Sequence, residues 1–156
     1  MKTKNRDIGM FKYIIGPCSI ESKDILEEVA NEVKEISKKV KADFIFKASF
    51  EKANRTSINS YRSVGIQKGL ESLMEVKEKF ELKVTTDVHE SWQVELCKNV
   101  IDVVQIPAFL CRQTELLVKA GEHFEKINIK KGQFMAPEDM KFRSEEHTSE
   151  LQSRQY

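Results

Sequence analysis

Cysteine is scarce and unpaired in this chain. Cys18, Cys97 and Cys111 are three in 156 residues, with no paired C-x-x-C spacing, so neither a disulfide framework nor a structural zinc module is indicated. An excess of one charge is lacking too: 26 basic residues stand against 25 acidic ones, a net charge of +1. That balance argues against a nucleic-acid surface or a polybasic membrane anchor, so any basic cluster is local and suited to a small anion. No apolar run approaches the length needed to span a bilayer, and residues 1–9 (MKTKNRDIG) lack the apolar core of a secretory signal. A soluble, cytoplasmic protein is expected, with no membrane and no nucleic acid among its partners. Missing as well are the Gly-rich fingerprint of a dinucleotide fold and a Walker-type phosphate loop.

What is present is a regular alternation of short apolar runs and amphipathic stretches. Tyr13-Ile14-Ile15 reads as a strand closed by Gly16-Pro17, and Ser22 as the cap of a helix with Ile25, Val29, Val33, Ile36 and Val40 on one face. Phe44 to Ala48 reads as a second strand, and Gly65 to Phe80 as a helix turning Ile66, Leu70, Leu73 and Met74 inward. Leu82–Thr86, Val100–Ile106 and Lys126–Ile129 follow as strands, separated by helices over Ser91–Lys98 and Arg112–Ala120, the latter with Leu116, Leu117 and Ala120 apolar. Strands alternating with helices imply a parallel sheet, because each crossover has to be long and right-handed. An open doubly wound sheet and a closed (β/α) barrel both fit.

The strand ends favour the barrel. Cys18 and Ser19, Lys47 and Ser49, Asp87 and His89, Gln105, and Lys130 with Lys131 place polar groups after every strand. A barrel gathers all its strand ends on one face, whereas an open sheet gathers only those near its switch point. The fold class expected is therefore α/β, a (β/α)8 TIM barrel of which this chain carries about the first five β/α units. The richest loop is Phe46-Lys47-Ala48-Ser49-Phe50-Glu51-Lys52-Ala53-Asn54-Arg55-Thr56-Ser57, where a buried strand runs into cations and hydroxyls suited to a phosphorylated small molecule.

Residues 1–142 are assigned to the barrel. Residues 143–156 carry neither period, and Arg143 to Gln152 reads like the in-frame translation of a common sequencing-adapter oligonucleotide. This tail is expected to be non-native, so His147 and its carboxylates are not recruited as ligands.

Five motifs, in order, carry a family resemblance. Gly16-Pro17-Cys18-Ser19-Ile20-Glu21-Ser22, the loop 46–57, Thr86-Asp87-Val88-His89-Glu90, the run Gln105 to Thr114 and Asn128-Ile129-Lys130-Lys131-Gly132-Gln133-Phe134 closely resemble the 3-deoxy-D-manno-octulosonate 8-phosphate synthase family over roughly residues 11–142. Synthases that open aromatic biosynthesis, using erythrose 4-phosphate, share the first motif. They carry a Lys-Pro-Arg-Thr-type motif where this chain has Lys52-Ala53-Asn54-Arg55. A non-catalytic module that binds a phosphorylated ligand is the alternative of another class.

The resemblance implies an aldol-type condensation of phosphoenolpyruvate with D-arabinose 5-phosphate, on the route to the lipopolysaccharide inner core. It implies that Lys47, Ser49, Lys52, Lys130 and Gln133 hold phosphoenolpyruvate, that Asn54, Arg55 and Thr56 hold the aldose phosphate, and that Gln105 joins the binding set. Asp87, His89 and Lys130 are the catalytic candidates. Cys18 marks the class that binds a divalent metal ion, whose other ligands the resemblance places beyond this chain, as it does a phosphate-binding arginine. A homo-oligomer is the family habit, and the 156-residue chain alone is expected to be inactive. Cys97 and Cys111 are expected as packing residues, Trp92 and Phe109 as core or rim contacts, and His123 as a solvated loop histidine. Lys34, Lys38, Lys39 and Lys41 are expected on the wet face of the first helix.

Overall fold

A computed structural model describes residues 12–40 and 42–141. The elements are β1 (Lys12–Ser19), α1 (Lys23–Lys39), β2 (Asp43–Ser49), α2 (Ile66–Phe80), β3 (Lys83–Asp87), α3 (Ser91–Cys97), β4 (Val103–Ile106), a single 3-10 turn (Ala108–Leu110), α4 (Thr114–His123) and β5 (Ile127–Ile129). All four neighbouring pairs are parallel and the order is sequential, β1-β2-β3-β4-β5. A doubly wound sheet reverses direction at a switch point; a sequential order with right-handed crossovers puts every helix on one side. The result is an arc of a (β/α) barrel, not closed among the described residues.

The two sides of the arc differ in chemistry. Phe44, Phe46, Val84, Val104, Ile106, Ile127 and Ile129 join the helix residues Leu26, Ala30, Val33, Leu70, Leu73, Val76, Val94, Leu116 and Leu117 in one apolar core. Alternate residues of the same strands face the other way, since successive side chains of a strand point to opposite sides. In-register pairing puts Ile45 beside Lys83, Lys47 beside Thr85, Asp87 beside Gln105 and Gln105 beside Asn128 on that concave side. Burial of the apolar side at about 25 cal/mol per Å² drives the fold, while the concave side is left for polar work.

Local features follow from the residues. Ser22 Oγ accepts from Ile25 N at 3.3 Å and starts α1 as expected. The stripe that α1 buries is Leu26-Ala30-Val33, not the predicted face: Ile25, Ile36 and Val40 are 42, 43 and 43% exposed. The two stripes lie one residue apart around the helix, and small Ala30 allows the closer approach to the sheet. In α2 the buried set is Gly69, Leu70, Leu73 and Val76, with Met74 only half-buried. A Cβ on Gly69 would lie 2.2 Å from the Phe50 Cβ, so this contact requires glycine. Strand β4 begins at Val103, later than Val100, because Val100 N and Ile101 N still bond to Cys97 O and Asp102 turns back to cap Val84 N at 2.8 Å.

Several single-residue expectations are corrected. Of the core or rim positions expected for Trp92 and Phe109, exposures of 57 and 61% exclude the core and leave the rim. His123 is the last residue of α4 and half-buried, with Nε2 shielded and unpartnered among the described residues, not a solvated loop histidine. Cys97 and Cys111 are buried as expected. Lys38 and Lys39 are exposed; Lys34 is half-buried and pairs with Glu81 at 3.2 Å. Lys41 and residues 142–156, including the expected non-native tail, lie outside the described residues. No described helix is long and apolar enough to cross a membrane.

Candidate functional site

The C-terminal ends of β2, β3 and β4 meet at one carboxylate, which β5 reaches through Gln105. Asp87 Oδ2 accepts from Lys47 Nζ at 3.2 Å, Lys52 Nζ at 3.2 Å and Ser49 Oγ at 2.5 Å. Ser49 Oγ in turn lies 2.9 Å from each ammonium. On its other oxygen Asp87 accepts from Gln105 Nε2, and Gln105 Oε1 accepts from Asn128 Nδ2 at 2.8 Å. Lys47 and Ser49 share a face because they are two residues apart on β2; Asp87, Gln105 and Asn128 share a level because they are register partners.

Burial makes these contacts count. The side chains of Lys47, Lys52 and Asp87 are only 12, 11 and 7% exposed. Burial opposes ionisation of Asp87, but the Lys47 ammonium, the Ser49 and Gln105 hydrogen bonds and the Lys52 ammonium outweigh it and hold the carboxyl far below the usual carboxylate range. Burial also pulls Lys47 below its ordinary value despite the attraction of Asp87. For Lys52 burial acts the same way, yet Asp87 and Cys18 outweigh it and its value is raised. Two ammoniums on one carboxylate leave one positive charge in excess. An anion arriving here meets cations already desolvated and held in place.

The first strand brings Cys18. Gly16 lies so close to β2 that a Cβ on it would come within 2.0 Å of the Lys47 carbonyl oxygen, and the register shifts between Ile15 and Cys18. Beyond this bulge Cys18 takes φ 65, a left-handed conformation rare outside glycine, and is exposed. It is therefore not a small buried packing cysteine. Burial raises its thiol, but the charges of Lys47 and Lys52 outweigh that, and the net direction is down. Donor type and exposure fit a metal ligand. No group of three His, Cys, Asp or Glu side chains among the described residues could hold an ion, so Cys18 is a single donor here.

The long β2–α2 loop supplies the next group. Lys52 N bonds to Arg62 O at 2.9 Å, and Tyr61 Oη and Ser63 Oγ donate to Ile20 O at 2.9 and 2.7 Å, pinning the loop against the end of β1. Arg55 donates to Tyr61 O at 3.1 Å and, from its guanidinium, to Ser19 Oγ at 3.4 Å; with Glu21, Ser60 and Tyr61 it lines an open cleft. Asn54 and Thr56 flank it and are exposed. This subsite opens at the same end of the strands as the lysine cluster.

A cleft of about 420 Å³ adjoins that cluster, lined by Lys47, Gln105, Asn128, Lys130, Lys131 and Gln133 among others. Lys130 and Gln133 are exposed into solvent. His89 follows β3 but makes no hydrogen bond to Asp87; it meets Phe50 edge-on at 6.4 Å, and its Nδ1 is buried without a partner among the described residues. Burial lowers its basicity. Its backbone N donates 2.7 Å to Gln93 Oε1, a buried residue of α3. Another cavity, of about 250 Å³, lies among the strand starts at the opposite end. Its charged lining balances, Lys12, Lys83 and Lys126 against Asp43, Asp102 and Glu125, with Lys83 on Asp43 at 3.0 Å and Lys77 reaching Asp102 at 2.8 Å, so the excess positive charge marks the first cleft as the site.

The structure thus gathers Lys47, Ser49, Lys52, Asp87 and Gln105 in one network, with Lys130 and Gln133 lining the adjoining cleft. Arg55 stands in the neighbouring subsite. Asn128 and Gln93 were not singled out from the sequence; for Asn128 the signal was there, since it stands two residues before Lys130 and shares its strand parity.

Fold and site define the class: a (β/α) barrel arc with a phosphate-suited cationic cluster at the C-terminal ends of its strands. The chain matches the model of the DAHP synthetase I family over residues 8–154, and it belongs to that family. Relatives named "2-dehydro-3-deoxyphosphooctonate aldolase" are 54% identical in Fusobacterium nucleatum over 131 residues (84% of this chain, 47% of the relative) and 54% identical in Helicobacter acinonychis over 142 residues (91 and 51%). The protein of that name from a Campylobacter jejuni strain is 54% identical over 129 residues (83 and 48%). The chain spans about half the length of the curated relatives it matches.

Proposed function

We propose that the full-length protein condenses phosphoenolpyruvate with D-arabinose 5-phosphate, giving 3-deoxy-D-manno-octulosonate 8-phosphate and phosphate for the lipopolysaccharide inner core. The observation that carries this reading is the pair of buried ammoniums on Asp87, which leaves a fixed positive charge at the mouth of a lysine-lined cleft. The relatives' printed name supports the eight-carbon product, and nothing in the geometry favours erythrose 4-phosphate.

Phosphoenolpyruvate brings a carboxylate and a phosphate. Lys47, Lys52, Ser49, Lys130, Gln105 and Gln133 bind it, and Asp87 keeps the two buried lysines protonated and in place until it arrives. Arg55, with Asn54 and Thr56, takes the aldose phosphate, which puts the two substrates side by side above the strand ends. Holding the enol carbon against the aldehyde converts an encounter into a positioned reaction, worth several kcal/mol of barrier. Asp87, with His89 two residues further along at the end of β3, stands by the reacting carbons. Cys18 holds a divalent metal with ligands from outside the described residues; when bound, the ion supplies Lewis-acid polarisation of an oxygen. The protein works in the cytoplasm as a homo-oligomer.

The test is turnover by the full-length protein: phosphate released from phosphoenolpyruvate with arabinose 5-phosphate, beside the same assay with erythrose 4-phosphate. Preference for the four-carbon aldose, or no release with either, rejects the proposal.

A further inference from the structure

We infer that Asn128 is a positioning residue: it fixes which way the Gln105 side-chain amide faces and, through Gln105, secures the Asp87 carboxylate beneath Lys47 and Lys52. Asp87, Gln105 and Asn128 are consecutive register partners on β3, β4 and β5. Asp87 and Gln105 are 5 and 1% exposed, so solvent does not supply substitutes for the bonds between them.

The chemistry of the row permits one polarity. An ionised Asp87 has no proton to give, so the Gln105 amide has to present its NH2 group to it, as it does. That leaves Gln105 Oε1 facing β5, where it needs a donor. Asn128 Nδ2 supplies one at 2.8 Å. Were Gln105 to turn over, its oxygen would oppose the carboxylate and its NH2 would oppose that of Asn128. With Asn128 as it stands, two attractive contacts would become two repulsive ones, and turning Asn128 over as well would mend only its own, so the donor on Asn128 adds to the hold that Asp87 has on the amide. Asp87 then keeps its Gln105 bond, and its other oxygen stays with Lys47, Lys52 and Ser49.

The test uses Asn128→Asp, which keeps the shape and removes the donor, in two backgrounds of the full-length protein. Against Asp87, Asn128→Asp sets an acceptor against the Gln105 oxygen; exchange of the Gln105 side-chain amide protons, read by NMR, rises about tenfold or more, the size of one net hydrogen bond. In an Asp87→Asn background the polarity of the whole row can reverse, with Asp at 128 accepting from Gln105 and Asn at 87 donating to it, so the same substitution slows exchange. An equal effect in both backgrounds, or none in the first, overturns the inference. Asn128→Leu serves as the second variant, with amide exchange raised less than by Asn128→Asp; the opposite ranking also overturns it.

The activity readout rests on the proposed condensation. There Asn128→Leu lowers kcat/KM about tenfold, and Gln105→Leu/Asn128→Leu is no worse than Gln105→Leu alone. Additive losses would mean that Asn128 acts on its own, and would overturn the positioning role. If the wild type does not turn over this substrate pair, the proposed function fails while the amide-exchange comparison still decides this inference.

Discussion

Asp87→Asn is the sharpest perturbation of this molecule. It preserves shape and removes the one charge shared by two buried ammoniums, each 3.2 Å from Oδ2. At an effective dielectric constant of about 20, each contact is worth roughly 5 kcal/mol before desolvation is subtracted. The desolvation of the lysines is common to both proteins, since the variant leaves them buried at 12 and 11% side-chain exposure but without a counter-charge. Breaking a buried pair in this way costs about 3–5 kcal/mol. The penalty depends on pH, and its sign follows from the lysines. Without Asp87 both lose the main attraction that opposes their burial, so both folded-state values fall, and that of Lys47, already lowered, falls further below the unfolded value of about 10.4. The unfolded chain then binds more protons than the folded one, and the stability of the variant climbs as pH rises toward that value. Urea unfolding of full-length wild type and variant at about pH 7 and pH 9 measures both effects, with the gap narrower at the higher pH. A gap under about 1 kcal/mol at pH 7, the range of an exposed ion pair, would refute the buried-cluster reasoning, as would a gap that widens with pH.

Arg55→Ala weakens arabinose 5-phosphate by roughly 2–4 kcal/mol if its bonds to phosphate are desolvated in the complex; steady-state kinetics in which phosphoenolpyruvate suffers instead would mean that the two subsites are exchanged. Cys18→Ala abolishes bound divalent metal and most activity of the full-length protein, whereas Cys97→Ala does neither, and full wild-type activity after exhaustive chelation would overturn the ligand role. In the native state iodoacetamide labels exposed Cys18 first, while Cys97, buried and with its thiol pushed up to about 12, stays unlabelled until unfolding; mass spectrometry of the digested protein reads the order. Burial keeps His89 neutral below its ordinary value, so its contribution to stability is present above about pH 6.5 and is lost as pH falls below it; His89→Phe flattens that part of the stability–pH curve, and an unchanged curve contradicts the assignment. Gly16→Ala loses about 1–3 kcal/mol in urea unfolding, because its Cβ would meet the Lys47 carbonyl oxygen at 2.0 Å.

The order of elements was legible along the chain because helix and strand periods are local properties. Ser22 caps α1 through its own loop geometry, and Lys47 and Ser49 share a face because they are two residues apart on a strand. Five motifs at strand ends identified the family, and the family match bears that out. The stripe of α1 was less legible: Ile25-Val29-Val33 is as good a helical face as Leu26-Ala30-Val33, and only the sheet it packs on chooses between them. Nor does hydrophobicity place Trp92 and Phe109, which stay exposed because no described element covers them.

By itself, the sequence determined the alternation of strands and helices, the absence of a Gly-rich nucleotide loop, and the set of polar residues that end the strands. Only the tertiary structure decided that Asp87 carries two lysines at once, that Gln105 ties it to Asn128, that Cys18 is open to solvent in a left-handed turn, and that His89 stands apart against Phe50. The physical reason is register. Which residues stand level on neighbouring parallel strands depends on how each crossover helix packs and where β1 bulges at Gly16, and a shift of one residue would turn every one of these side chains to the other face.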